Sequence, residues 1–163
     1  MKNITTIIKI LEVSDTENSG AIHEILSNSF VYYKSQYTKE AYNATVISIE
    51  EIKHRINTKE YQVLLAWYAD NIAGTASIKI TEDKNLYICS MAVKPAYQGK
   101  SIGWSILQEV EQIAKQKKCN ALLLQTFEPL ASAIKLYKKF GFAATGKSRN
   151  YYGITIFEMK KKL

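Results

Sequence analysis

Residues 121–127 read ALLLQTF, a run that is apolar almost without interruption. Such a stretch needs cover on both faces, as strands inside a helix-flanked sheet have it. It lies between two segments with helical spacing. Upstream, Ile102, Ile106, Leu107, Val110, Ile113 and Ala114 mark one side of a helix over 102–118. Downstream, Leu130, Ala133, Ile134 and Tyr137 fall at i, i+3, i+4 and i+7. Pro129 in the first turn and Gly141 after the last are the expected start and stop of that second helix.

The rest of the chain can be read around this unit. TTIIKILEV (5–13) is β-branched and apolar and predicts a first strand, and AIHEILSNSF (21–30) has helical spacing. The tyrosine-rich stretch VYYKSQYTKEAYNATV has no clean period and is expected to be a partly helical loop. Ser48 followed by Glu51 is a capping box that starts a short helix through Ile56. Residues 61–69 and 71–81 predict a hairpin turning at Asp70-Asn71, and 86–93 the next strand. Two last strands, about 143–148 and 153–160, meet near RNYYG. The order is β α α β β β α β α β β, without repeats or linkers. It fits a single α/β or α+β domain spanning 1–163, a mixed sheet with helices on its faces.

Composition narrows the class. Hydrophobic residues make up 47% of the 163 and charged residues 23%, as in an ordinary globular protein. The formal net charge of +7 suits an anionic partner, but the lysines are scattered and form no dense stripe. No run approaches the roughly 18 apolar residues of a membrane span, and MKNITTIIKILEV reads as a strand rather than a leader. Cys89 and Cys119 belong to no CxxC pair, and His23 and His54 are isolated, so no metal site is expected. Free thiols and the missing leader give a cytoplasmic location as the expectation.

The loop between strand 86–93 and the helix from 102 carries the chemistry. Its Gly99-Lys100-Ser101 matches the end of a P-loop, but that motif needs a glycine at position 94, where Lys94 stands. The pattern G-x-G-x-x-G fails too. Glycines ahead of a helix N-terminus still let an anion reach unpaired backbone N–H groups. A tight strand-to-helix connection without a ligand is the other reading of the same residues.

Two motifs decide between them. MAVKPAYQGKSIG resembles the strand and Q/R-x-x-G-x-G/A loop of the GNAT superfamily of acyl-CoA-dependent N-acyltransferases, and AIKLYKKFGF (133–142) resembles that family's A-x-x-L-Y-x-x-x-G-F. They stand in the family's order and spacing, with a helix and a buried strand between them. The resemblance implies a mostly antiparallel central sheet with one splayed parallel pair and helices on both faces. It implies acetyl-CoA as cofactor and coenzyme A as product. It places Met91 and Val93 on the splayed strand that meets the pantetheine arm. Gln98, Gly99, Lys100, Ser101, Ile102, Gly103 and Trp104 hold the pyrophosphate, and Tyr137 lies near the thioester sulfur. Ser101 replaces the family's middle glycine, where a positive φ would be strained. Leu130 replaces a frequent asparagine.

The implied activity is transfer of an acetyl group to a primary amine of a small molecule or peptide by direct attack in a ternary complex. Tyr137 protonates the leaving thiolate. No general base stands out: the position of the glutamate some members use is Tyr87, and Glu128 is an alternative. Cys89 reads as a structural thiol. Tyr33, Tyr37, Tyr87 and Glu128 are the expected acceptor contacts. The expected partners are acetyl-CoA and an amine, with no membrane and no nucleic acid, and a homodimer is compatible with this. The alternatives are an inactive acyl-CoA-binding module of the same fold and a basic nucleic-acid-binding domain.

Overall fold

The computed structural model describes residues 5–10 and 13–163. In chain order the elements are β1 (Thr6–Ile10), α1 (Ser19–Phe30), α2 (Lys39–Thr45), α3 (Ile49–Thr58), β2 (Gln62–Tyr68), β3 (Asn71–Ile80) and β4 (Leu86–Val93). They continue with α4 (Ile102–Gln116), β5 (Ala121–Thr126), α5 (Ala131–Phe140), β6 (Ala143–Tyr151) and β7 (Ile154–Lys162). The seven strands form one sheet in the order β1-β2-β3-β4-β5-β7-β6. Neighbours are antiparallel except β4 and β5, which run parallel.

Strand alternation puts a core on each face. Leu64 and Ala66 of β2 join Leu122 and Leu124 of β5 beneath Ile102, Ile106, Leu107 and Val110 of α4. Val63 and Leu65 point the other way, against Ile22, Ile25 and Leu26 of α1 and Ile52 and Ile56 of α3. Burying each of the leucine, isoleucine and valine side chains stabilises by about 1.5–3 kcal/mol before entropy is counted. A third cluster, Ala41, Phe127, Ile154 and Ile156, lies under α2 on the β5–β7 side. There Gly153 (φ +92) closes the β6–β7 turn against Thr38, whose Cγ2 would lie 2.9 Å from a Cβ at that position. The Thr38 hydroxyl, which caps α2, donates to the Tyr152 carbonyl.

Several boundaries differ from the sequence reading. Residues 11 and 12, part of the expected first strand, lie outside the described residues; Val13 already opens a 3-10 turn. The tyrosine-rich stretch resolves into a 3-10 turn, Val31–Gln36, and α2. The β2–β3 turn is Ala69-Asp70, both left-handed, and Asn71 already pairs with Tyr68. Helix α4 ends at Gln116, since Lys118 is left-handed. Pro129 occupies a turn before α5, not its first turn. The inner stripe of α5 is also rotated from the one expected: Leu136, Tyr137 and Phe140 meet the α4-side core, and Leu130 packs under α2.

The parallel contact is short. Leu86, Tyr87 and Ile88 pair with Leu122, Leu123 and Leu124, and there the pairing stops. Beyond it β4 carries a bulge against β3: Ser77 pairs with Cys89 but Thr75 with Ala92, and Ser90 sits at φ +49. A bulge bends its strand and sharpens the twist, so β4 leaves β5 and the sheet opens.

Ser48 accepts a hydrogen bond from the Glu51 N–H at 3.1 Å and caps α3. The return bond of a full capping box is replaced by Glu51 binding Arg55 at 3.1 Å. Ser48→Ala is expected to lower stability by about 1 kcal/mol, the usual worth of an N-cap, in urea denaturation.

Candidate active site

The opening between β4 and β5 is flanked by two cavities. One, of about 460 Å³, runs over the N-terminus of α4 and between α4 and α5. The other, of about 590 Å³, lies toward α2, α3 and the β6–β7 hairpin. Phe30, Met91, Leu130 and Tyr137 line both, so the two cavities meet at the split.

The first cavity is built for an anion. Gly99 (φ +78) and Ser101 (φ +61) turn the chain into α4. The Ser105 N–H donates to the Ser101 carbonyl, the first bond of the helix, so Ile102, Gly103 and Trp104 keep N–H groups with no intrahelical acceptor. The Ser101 side chain makes no capping bond to them. These donors and the helix dipole favour a negative group. Gly103 is small for a packing reason: a Cβ there would come 2.8 Å from Leu136 Cδ2. Gly99 has open space around it and is needed for its dihedral angle alone.

Seen from β4, the backbone is equally available. The Lys94 N–H donates to the Ala73 carbonyl on β3. Alternation along the strand then turns the polar groups of Met91 and Val93 toward the opening. The Val93 carbonyl is held by the Ser29 hydroxyl at 3.0 Å and the Gln98 side-chain amide at 3.2 Å. Met91 pairs with neither β3 nor β5.

Of the expected cofactor residues, Met91, Val93, Gln98 and Gly99 line this cavity, as do Ser101, Ile102, Gly103 and Trp104. Lys100 does not; its ammonium lies over the Tyr68 ring at 5.6 Å. Tyr33, expected as an acceptor contact, lies in the first cavity instead. Tyr37 and Tyr87 line the second. Glu128 is exposed and lines neither, because β5 ends at Thr126 and the turn through Pro129 carries it outward. Lys139, not anticipated, lines the first cavity with its ammonium 5.8 Å from the Trp104 ring.

Tyr137 is at the junction. Burial pushes its phenol up to about 12, and no protein group among the described residues bonds the hydroxyl. Desolvation also raises Tyr37 and Tyr87 to about 12. All three are therefore neutral proton donors over the physiological range. Burial likewise raises the Cys89 thiol, against the opposing pull of Arg55 at 3.7 Å, so it is no thiolate nucleophile.

The second cavity holds residues that sequence reasoning missed. Arg55 on α3, Arg149 on β6 and Glu158 on β7 all line it. They come from three distant segments, and only the strand order β5-β7-β6 and the placement of α3 bring them together. No local pattern could have signalled this.

Ser101 carries a left-handed backbone with a Cβ, which costs about 1–2 kcal/mol. Ser101→Gly is therefore expected to keep or raise stability, by up to about 1 kcal/mol. Gly99→Ala should lower it by about 1 kcal/mol. Urea midpoints of the two variants, moving in opposite directions, check this.

The comparisons agree with this geometry. The family model for the acetyltransferase (GNAT) family matches residues 19–142. A putative [ribosomal protein bS18]-alanine N-acetyltransferase of Bacillus subtilis is 29% identical over 137 residues, 83% of this chain and 82% of that protein. The spermine/spermidine N(1)-acetyltransferase of the same organism is 26% identical over 148 residues, 86% and 90% of the two chains. The structure of PaiA N-acetyltransferase from Thermoplasma acidophilum in complex with coenzyme A superposes with a TM-score of 0.76 at 23% identity, over 98% of this chain and 99% of that one. With the split sheet, the open helix N-terminus and the family match together, the chain belongs to the GNAT acetyltransferase family.

Proposed function

We propose that the chain is a single N-acetyltransferase domain that moves an acetyl group from acetyl-CoA to a primary amine of a small molecule or peptide. One observation carries the reading: the two cavities meet at the β4–β5 opening, with Tyr137 on the wall of both. One cavity suits the donor and the other the acceptor, so an amine can reach a thioester through the sheet. The two Bacillus subtilis relatives are named for different acceptors, a protein alanine and a polyamine.

The residues fit the donor. Amides of Gly99 to Trp104 bind the pyrophosphate, and Lys139 adds a positive charge. The bound thioester supplies an acyl carbon already activated toward amines. The Met91 N–H, aimed into the opening, stabilises the charge that develops on the carbonyl oxygen. The sheet gap excludes water from the acyl carbon and orients the attack.

Tyr137 hydrogen-bonds the departing sulfur. Its raised pKa bears on how. A thiolate whose acid titrates near 8.5 is a weaker base than a tyrosinate near 12, so full transfer to sulfur is uphill unless another proton replaces the one given. The proton shed by the attacking amine is that replacement. Tyr137 thus acts as a donor recharged within the same turnover by the proton the nitrogen sheds after attack, while Glu158 is the carboxylate on the acceptor side that can take the earlier proton, from the ammonium, through water.

Two measurements test the proposal. Acetyl-CoA should raise the melting temperature, and an amine panel should release free thiol. A thermal shift without thiol release from any amine would leave an acyl-CoA-binding module. No shift at millimolar acetyl-CoA would remove the reading altogether. Tyr137→Phe keeps the ring that packs on Phe142 at 5.9 Å. It is expected to lower turnover about 10²–10⁴-fold with melting temperature and acetyl-CoA affinity nearly unchanged. Full turnover in that variant, where chemistry limits the rate, would exclude the donor role. Because the Tyr137 proton is retained up to about pH 12, the rate should rise with amine deprotonation and show no loss from Tyr137 ionisation below about pH 11.

A further inference from the structure

The acceptor cavity has an uneven charge. Arg55, Lys79 and Arg149 line it, against the single carboxylate of Glu158. Two of the three cations are already paired. Arg55 binds Glu51 at 3.1 Å, and Lys79 has Glu60 at 3.9 Å. Arg149 differs. Its Nε and Nη2 both donate to the neutral Gln125 Oε1, at 3.2 and 2.9 Å, and its guanidinium lies 5.2 Å from the Tyr151 ring. Among the described residues no carboxylate is within 4 Å of it.

The arrangement holds Arg149 in place without neutralising it. Two of its five donors grip Gln125 on the cavity floor, the Tyr151 ring supports its plane, and the remaining N–H groups are left for an acceptor. A guanidinium fork of this kind matches a carboxylate. Arg55 adds a second fork, fixed by Ser90 at 3.0 Å and stacked on Tyr61 at 4.3 Å.

We infer that the acceptor is an amine that also carries a carboxylate, of amino-acid size, with Arg149 holding the carboxylate. A polyamine leaves the Arg149 fork unmatched: it brings a second ammonium group to the cavity where an amino acid brings a carboxylate. The inference rests on the acetyltransferase reading only for what happens to the amine. The binding preference stands apart from it.

Matched pairs that differ by one carboxylate test it: lysine and cadaverine, ornithine and putrescine, tyrosine and tyramine, histidine and histamine. Each is titrated calorimetrically into the protein saturated with coenzyme A, and each is also assayed for thiol release from acetyl-CoA. Lysyl-alanine and its C-terminal amide form a peptide arm, which separates a free amino acid from a peptide end as the source of the carboxylate. At least one acid should bind about tenfold or more tightly than its decarboxylated partner. Arg149→Gln should abolish that difference, and Arg149→Lys should restore part of it. Arg149 is exposed on an edge strand, so these variants should fold; Arg55→Gln is the second variant. Equal binding within every pair, tighter binding of the decarboxylated members, or no binding by any acid would overturn the inference. Discrimination without thiol release would keep the carboxylate site and remove the acetyltransferase reading. Thiol release confined to cadaverine, putrescine or tyramine would keep that reading and remove the carboxylate site.

Discussion

The structure turns on the early end of the pairing between β4 and β5. Parallel pairing lasts from Leu86 to Ile88 and ends where the bulge at Ser90 bends β4 away. Elsewhere a broken ladder inside a sheet would leave orphaned backbone groups at a cost of about 1–3 kcal/mol each. Here the helices compensate in part. Ser29 of α1 and Gln98 of the loop hold the Val93 carbonyl, while Arg55 of α3 fixes the Ser90 hydroxyl. Met91 stays outside both ladders. The same departure from regular structure that costs stability creates the passage on which two cavities converge.

Electrostatics then divides the passage. On the α4 side, backbone amides and Lys139 offer positive potential to a phosphate without a fixed anion to compete. On the other side, phenols whose ionisation is suppressed by burial line the wall beside Arg55 and Arg149. Phenols of this kind are neutral donors that add shape and hydrogen bonds without charge, so they leave the charge of Arg149 uncompensated. The net charge of +7 is thus distributed. Part of it surrounds the site, and part is held elsewhere, as where Lys115 and Lys161 both clasp Glu111 at 2.6 Å.

Much of this was legible in the chain. Residues 121–127 stood out as an apolar run, though only the Leu122–Leu124 face of β5 is fully covered and Leu123 and Gln125 on the other line the second cavity; α4 stood out because its six buried positions keep one period. The anion loop was readable because glycine at 99 and 103 answers to backbone geometry and to packing, both local constraints. The bend at Ser90 was not, since a serine takes the left-handed region there with no glycine to mark it. Tyr33 lines the cavity over α4 and not the one that holds Tyr37 and Tyr87; its stretch has no period, and the 3-10 turn after α1 decides where it lies. Arg55, Arg149 and Glu158 were invisible as a group because the sheet places β7 between β5 and β6, a long-range fact that no local pattern encodes.

The central claim is that the start of α4 and the freed edge of β4 form one binding surface for the donor. The most direct measurement is a ¹⁵N amide titration with acetyl-CoA, following each backbone N–H. The largest shifts should fall on Gly99, Ser101, Gly103 and Trp104 at one end and on Met91 at the other, all with one dissociation constant. Shifts confined to other surfaces, or a loop that moves while Met91 does not respond, would contradict the account.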